Sequence, residues 1–578
     1  MRQIFSIWKD RDRFSFGPAD IAIVIGAFGL LALLARVSAG AFISFIPPDV
    51  VPSVSLDPAA LPYYVARSAL RMFIALGCSL LFTMVYGYIA AHNRRAERVL
   101  IPLLDILQSV PVLGFLSVTV TGFIALFPGS LLGLETASIF AIFTSQAWNM
   151  TFSFYQSLRT LPRELDEVTS VYRLSRWERF TRLEVPSSMI GLVWNSMMSF
   201  GGGWFFVAAS EAISVLNAKY TLPGIGAYVT LAVERQDMRA LAYALLAMAL
   251  LILLVDQLFW RPLVAWAEKF RLELSTADAG PTSWLLNLIR AARLPRFIAR
   301  VTGPVRGWLD RILSRVTVQR LHHRERSERS ERVIDIIYNA LLLALAATLF
   351  MLGGRFVLSE VSIGEVGTTV LLGLATLGRV IVLLVFGTII WTPVGVAIGF
   401  SPRLSRFAQP VVQLLASFPA NFLFPFATLF FIRTGISLNW GGILLMSLGA
   451  QWYILFNVIA GAMSIPTDLR EMSRNMGVRG WLLWRTVIIP GVFPAWVTGG
   501  ITAAGGAWNA SIVSEIVTWG STTLTATGLG AYIARVTEHG DWPRIVLGVG
   551  TMSVFVVGFN RLLWRRLYRL AETRYRLG

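Results

Sequence analysis

Charged residues are scarce in this chain, and the places where they recur carry its chemistry. Residues 161–186 read LPRELDEVTSVYRLSRWERFTRLEVP, and residues 465–490 read IPTDLREMSRNMGVRGWLLWRTVIIP. Each is a polar island between long apolar runs. Each opens with acidic residues (Glu164 and Glu167; Asp468 and Glu471) and continues with basic and mixed ones, among them Arg173, Glu178 and Arg479. Each has a proline near its start and another, Pro186 or Pro490, at its end. Such islands can form ion pairs and hydrogen bonds with a partner surface. They do not suit catalysis, because no nucleophile stands beside a base. No metal site is expected either. The histidines, His92, His322, His323 and His539, lie in polar loops without ligand spacing, and Cys78 is the single cysteine.

A second set of charges lies inside apolar sequence. Glu211 and Glu515 stand 304 residues apart, as the islands do, and Arg71 and Arg379 stand 308 apart. An isolated charge in hydrocarbon is costly, so pairing is expected. Two readings stand: Arg71–Glu211 and Arg379–Glu515 pairs that lock helices together, or arginines that face a pathway and attract an anion. The run after each island is rich in small residues, including Gly202 and Gly506, next to Trp204, Trp508 and Asn509. Small residues let helices pack closely in lipid and also permit a bend, so each Trp either lines a path or packs. Gln146 and Gln451 could hydrogen-bond a polar solute or a neighbouring helix.

These residues need a membrane scaffold. The chain has 578 residues, 55% hydrophobic and 15% charged, against about 25% charged in soluble domains. Apolar runs predict twelve transmembrane helices. They fall near 19–41, 67–91, 99–127, 131–155, 188–213 and 240–260, then near 334–353, 367–399, 408–432, 441–463, 492–518 and 544–564. The net charge of +18 sits in short loops, which fits the positive-inside rule rather than nucleic-acid binding. Simple alternation then puts both termini and both islands in the cytoplasm. Because the islands repeat, the chain divides into a first unit at 1–267, a basic cytoplasmic linker at 268–332 and a second unit at 333–578. Six helices per unit make the two parallel, related by an axis along the membrane normal. Arg residues interleaved with Trp284, Trp308 and aliphatic side chains make the linker a candidate for surface helices on an anionic leaflet. A solvated tether is the other reading.

The islands resemble the coupling loop of permeases from ATP-binding-cassette importers, with its pattern E-A-A, three residues, G, nine residues, I-x-L-P. The second island matches at Glu471-Met472-Ser473, Gly477, Val487, Ile489 and Pro490. The first matches at Glu167-Val168-Thr169, Leu183, Val185 and Pro186, but Arg173 replaces the glycine. Arg379, the run Val394–Leu404, Pro410–Pro419 and Ala507-Trp508-Asn509 narrow the resemblance to nitrate/sulfonate/taurine-type permeases. It implies an all-α polytopic fold of the MetI-like type I importer class, as two fused units in the inner membrane. It also implies two cytoplasmic ATPase subunits docked on the loops, an extracytoplasmic substrate-binding protein, and a small, often anionic solute. Arg173 tolerates a left-handed turn less well than Gly477, so unequal dockings are expected.

The chain should hold no cofactor, with ATP and magnesium bound by the partners. Its three lysines, Lys9, Lys219 and Lys269, do not form a phosphate-binding G-x-x-x-x-G-K-[ST] loop. Partners are then the ATPases, the binding protein and lipid, without nucleic acid. An ion-gradient-driven secondary transporter is the alternative, since two parallel six-helix halves also describe that class.

Overall fold

A computed structural model describes residues 17–40, 53–109, 112, 116–215, 218–270, 283–316 and 328–575. In the first half, the helices are α1 (Pro18–Ala39), α2 (Leu61–His92), α3 (Arg94–Ser109), α4 (Leu116–Leu126) and α5 (Leu132–Arg159). The island holds α6 (Arg163–Val171) and α7 (Arg176–Arg179) and runs through a π-helical turn, Phe180–Glu184, into α8 (Val185–Ser210). A hairpin of β1 (Ala212–Val215) and β2 (Ala218–Thr221) leads to α9 (Ile225–Glu234) and α10 (Met238–Val255). A second π turn, Asp256–Trp260, leads to α11 (Arg261–Ala267), and the linker holds α12 (Trp284–Ala291) and α13 (Leu294–Val316).

The second half begins with α14 (Glu328–Leu358), α15 (Ile363–Gly399), α16 (Pro402–Ser417), α17 (Phe424–Thr434) and α18 (Leu438–Met463). Its island holds α19 (Thr467–Asn475), α20 (Gly480–Leu483) and a π turn, Trp484–Ile488, before α21 (Ile489–Ser514). Then come β3 (Ile516–Trp519), β4 (Thr522–Thr525), α22 (Leu529–His539), α23 (Trp542–Phe559), a π turn at Asn560–Trp564 and α24 (Arg565–Arg574). From α6 to the π turn before α11, every element recurs 304 residues later, with bounds that agree to within one residue.

By contact, the described residues group into two units. One draws on Met1–Gly40, Ser153–Asn195 and Leu253–Glu325, the other on Ala41–Phe152, Ser196–Ile252 and Arg326–Gly578. The core of the second is built where α15, α18 and α21 meet, from Val380, Leu383, Ile454, Val458, Val497, Ala507 and Trp508. Lipid tails are as apolar as leucine, so close packing rather than water exclusion must hold such helices together. Gly499 shows how close they come: a Cβ there would lie 2.8 Å from the backbone oxygen of Tyr453. By contrast, α1 and α14 bury almost nothing of their apolar stretches. Phe28 and Leu31 on α1, and Leu343 and Phe350 on α14, are exposed, as suits helices solvated by lipid.

Two expectations need correction. The helix expected at 408–432 is broken into α16, a 3₁₀ turn at Ala420–Phe422 and α17. Phe418 precedes Pro419 and is extended (ψ 128°), since a residue before proline is pushed out of the helical region. The helix expected at 99–127 is likewise α3 and α4, and most of the break, with Pro111, lies outside the described residues. The helices expected at 188–213 and 492–518 end earlier, at Ser210 and Ser514, and antiparallel hairpins follow. Among the described residues, eight of the expected helices are long and apolar enough to cross a membrane by length and composition, and shorter apolar helices accompany them. The other four expected spans are the split third helix of each half and α5 and α8, which are long enough but richer in Ser, Thr, Asn and Gly.

Candidate coupling and translocation site

Each island forms two short helices joined by a tight turn. Helices α6 and α19 start after Pro162 and Pro466, whose φ values of −57° and −53° suit the position before a first turn. They end alike. Arg173 N–H donates to the Ser170 carbonyl and Leu174 N–H to that of Thr169, both at 3.1 Å. Gly477 N–H donates to Arg474 (3.1 Å) and Val478 N–H to Ser473 (2.9 Å). This pair of bonds is the Schellman stop, and it needs a left-handed residue at its centre. Gly477 has φ 70° and Arg173 has φ 49°. The arginine therefore adopts the glycine's turn, and the loss of the motif glycine has not changed the loop's shape. The same substitution recurs after α9, where Gln236 (φ 56°) stands for Gly540 (φ 71°).

The second short helices differ in their starts. Ser175 caps α7, accepting from the Glu178 N–H at 3.2 Å, while the Glu178 carboxylate accepts from the Ser175 N–H at 3.0 Å. This reciprocal box holds the Glu178 carboxyl below its ordinary value, chiefly through the Ser175 backbone bond. Arg479 begins α20 with no side-chain cap. Both then enter π turns with bonds five residues apart, Val185 to Phe180 and Ile489 to Trp484. Pro186 and Pro490 follow directly, and each lacks the N–H that a regular ladder would require.

Glu164, Glu167, Asp468 and Glu471 are exposed. So are apolar side chains at matching positions: Val168 and Met472, and Tyr172 and Met476. Trp177 and Trp481 also correspond, yet Trp481 is 72% exposed while the Trp177 indole donates to Asp310 of α13 at 3.1 Å.

The buried charges come together in two locks. Arg379 donates through Nη1 to Glu515 (2.7 Å), through Nη2 to Asn439 Oδ1 and the Thr527 carbonyl (2.9 Å each), and through Nε to the Asn439 carbonyl (3.0 Å). Glu515 also accepts from Thr376 and from the Gly530 N–H, both at 2.8 Å. Arg71 bonds Glu211 at 2.6 Å in the same way, and Gly226 N–H donates to Glu211 at 2.7 Å. The carboxylates thus sit at the N-termini of α9 and α22, where amides and the helix dipole favour a negative charge. Gly224 and Gly528 leave room for them, since a Cβ on either would collide with the carboxylate.

Sequence reasoning missed the other members of these locks, including Thr376. Glu135 takes Arg71 Nε and Nη2 at 2.6 and 2.7 Å, and Arg67 adds a second arginine to Glu135. Asn439 holds the corresponding place in the second half. Glu135 and Asn439 are 304 residues apart, so the repeat itself was the available signal.

Helices α8 and α21 carry the small-residue runs. A Cβ on Gly202 would lie 3.2 Å from the Tyr453 hydroxyl, and one on Gly506 would lie 3.5 Å from the Tyr453 ring. Asn509 accepts from the Val112 N–H at 3.1 Å, and Asn421 donates to the Phe205 carbonyl at 3.3 Å, so the two halves meet along these helices. Trp204 and Trp508 are each 1% exposed. Trp204 packs edge-on against Phe200, and Trp508 stacks on Phe555. Gln451 accepts from the Trp391 indole at 3.0 Å. The Gln146 amide nitrogen points at Met72 sulfur (3.8 Å), and its oxygen has no hydrogen-bond partner among the described residues. Nor do the Ser196 and Ser199 hydroxyls on α8. Among the described residues, no group of three or more metal-ligating side chains occurs.

Fold and site together define a duplicated, multi-pass helical membrane protein with one charged helix–turn–helix loop per half. The chain belongs to the family of binding-protein-dependent transport system inner membrane components, whose model matches residues 83–259 and 391–576, more than half of the chain. Similar proteins include the taurine transport system permease protein TauC of Escherichia coli K12, 25% identical over 33% of this chain and 68% of that protein. The putative aliphatic sulfonates transport permease protein SsuC of Bacillus subtilis 168 is 26% identical over 30% of this chain and 61% of that protein. The bicarbonate transport system permease protein CmpB of Synechocystis is 27% identical over 33% and 64%. The matches to the last two thus cover less than two thirds of those relatives. This chain is about twice their length, consistent with a fusion of two permease units.

Proposed function

We propose that this chain is the fused transmembrane subunit of an ATP-driven importer for a small anionic solute. Residues 1–267 and 333–578 are its two permease units and 268–332 its linker. The observation that carries the reading is the shared shape of the two islands, which keep one turn geometry although Arg173 has replaced the glycine. A tether needs no such shape, whereas a helix that fits a cleft on another protein does. Loops 161–186 and 465–490 each dock on a cytoplasmic ATPase subunit, through Glu164, Glu167, Asp468, Glu471 and the apolar side chains beside them. ATP and magnesium belong to those subunits. A binding protein delivers solute on the opposite side, and both termini are cytoplasmic.

In this reading the Arg–Glu locks tie α2 to α8 and α9, and α15 to α21 and α22, so that motion of a loop moves helices as a set. Four of the five guanidinium N–H donors of Arg379 go to Asn439, Glu515 and Thr527, which favours a lock over an anion site. The path runs beside Gly202, Gly506 and Tyr453, where α8 also presents Ser196 and Ser199. Relatives named for taurine, sulfonates and bicarbonate support an anionic solute. The test is ATPase activity and uptake by the complex reconstituted with its ATPase. Removal of 164–180 and 468–484 should abolish both. Retention of both would return the chain to the gradient-driven class.

A further inference from the structure

The linker helices suit a specific task. Residues 283–316 hold seven arginines against one acidic residue, Asp310. On α13, Ile298, Val301, Val305, Trp308 and Ile312 recur at alternating spacings of three and four, and all are exposed. That spacing makes one continuous apolar stripe. Asp310 lies two residues beyond Trp308, about 200° around the helix. It therefore faces away from the stripe, and there it accepts the Trp177 indole of the first coupling loop. The start of α13 is also fixed. The Asp20 carboxylate, in the first turn of α1, accepts the N–H groups of Arg293 and Leu294 at 2.7 Å each. Helix α12 packs on α1 and α11 and exposes Trp284.

One helix thus carries an exposed apolar stripe on one side and a contact to the coupling loop on the other, with its start anchored to a membrane helix. We infer that α12–α13 is a binding surface for anionic phospholipid headgroups, wired through Asp310 and Trp177 to the first coupling loop. An apolar stripe flanked by arginine, with Trp at the boundary, is the chemistry of a helix lying in an anionic bilayer surface. Among the described residues the second loop has no such strap on its equivalent residue, and Trp481 is exposed. Lipid then acts on one loop of the two. The lipid surface stands without the importer reading, and only its consequence for coupling rests on that reading.

The test uses the full chain carrying Cys78→Ser with Val301→Cys, labelled with an environment-sensitive fluorophore. It is reconstituted in phosphatidylcholine vesicles with and without phosphatidylglycerol, with doxyl-labelled lipid as quencher. Quenching should be at least about twofold stronger with phosphatidylglycerol and should fall with added salt. Arg290→Gln with Arg300→Gln should weaken it. A label that stays solvent-exposed in both vesicles overturns the lipid surface and leaves a protein as the occupant of the stripe. A second arm follows amide exchange in Asp310→Ala. Exchange should rise across 163–180 and stay unchanged across 467–484. Equal change in both loops, or in neither, overturns the wiring. Neither arm contains an ATPase, so failure here is distinct from failure of the importer reading.

Discussion

Arg173 holds a conformation that side chains with a Cβ adopt at a cost of about 1–2 kcal/mol. Gly477 meets no neighbour that an added Cβ would strike, so Gly477→Ala should cost only that backbone strain, about 1 kcal/mol. Arg173→Gly should relieve it, minus the extra freedom of glycine in the unfolded chain, for a net gain below about 1 kcal/mol. Amide exchange at Leu174 and Val478, whose N–H groups close the two turns, reads both changes. The buried locks should respond more strongly. Glu515→Gln or Arg379→Gln leaves a buried charge without its counter-ion, which costs about 3–5 kcal/mol. In a double-mutant cycle the pair should be less damaging than the sum of the singles. Additive losses in thermal unfolding would show that the two residues do not act as a pair.

Short helices depend on their ends, and the loops show it. Helix α7 spans four residues and relies on the Ser175–Glu178 box, so Ser175→Ala should loosen it by about 1 kcal/mol. The Glu178 carboxyl is held below its ordinary value of 4.5. Its contribution is therefore fully present above that value and is lost as pH falls through the lower, folded one. Exchange protection at 175–179 should drop on acidification in the native chain and be insensitive to pH in Glu178→Gln. Helix α20 lacks this box and should show no such step.

Much of this level was legible in advance. The prolines and acidic starts marked both islands, and the 304-residue offset matched them. The hairpins were not foreseen because the apolar run continues past the helix end and periodicity cannot separate the two states. Yet Ile-Val-Thr-Trp, Gly-Ser, Thr-Thr-Leu-Thr at 516–525 has β-branched alternation around a glycine turn, and Gly520 has φ 59°. The missing lock members were hidden for another reason. Glu135 and Asn439 share a place but neither charge nor size, so the 304-residue offset was the one sequence signal for them, and the structure adds that a carboxylate with two arginines and an amide with one satisfy the same site.

At the scale of the whole molecule, two copies of one permease unit have kept their geometry while their residues drifted. Arg173 and Gln236 in the first half stand where Gly477 and Gly540 stand in the second, and among the described residues a strap from α13 reaches the first loop alone. The central claim is that both islands transmit the work of a separate ATPase. The most direct measurement is ATP hydrolysis and solute uptake by the reconstituted complex with residues 164–180 removed, with 468–484 removed, and with both removed. The account predicts that each single deletion lowers both activities and that the double deletion abolishes them, while the membrane core still folds. Unchanged hydrolysis and uptake in the double deletion would contradict it.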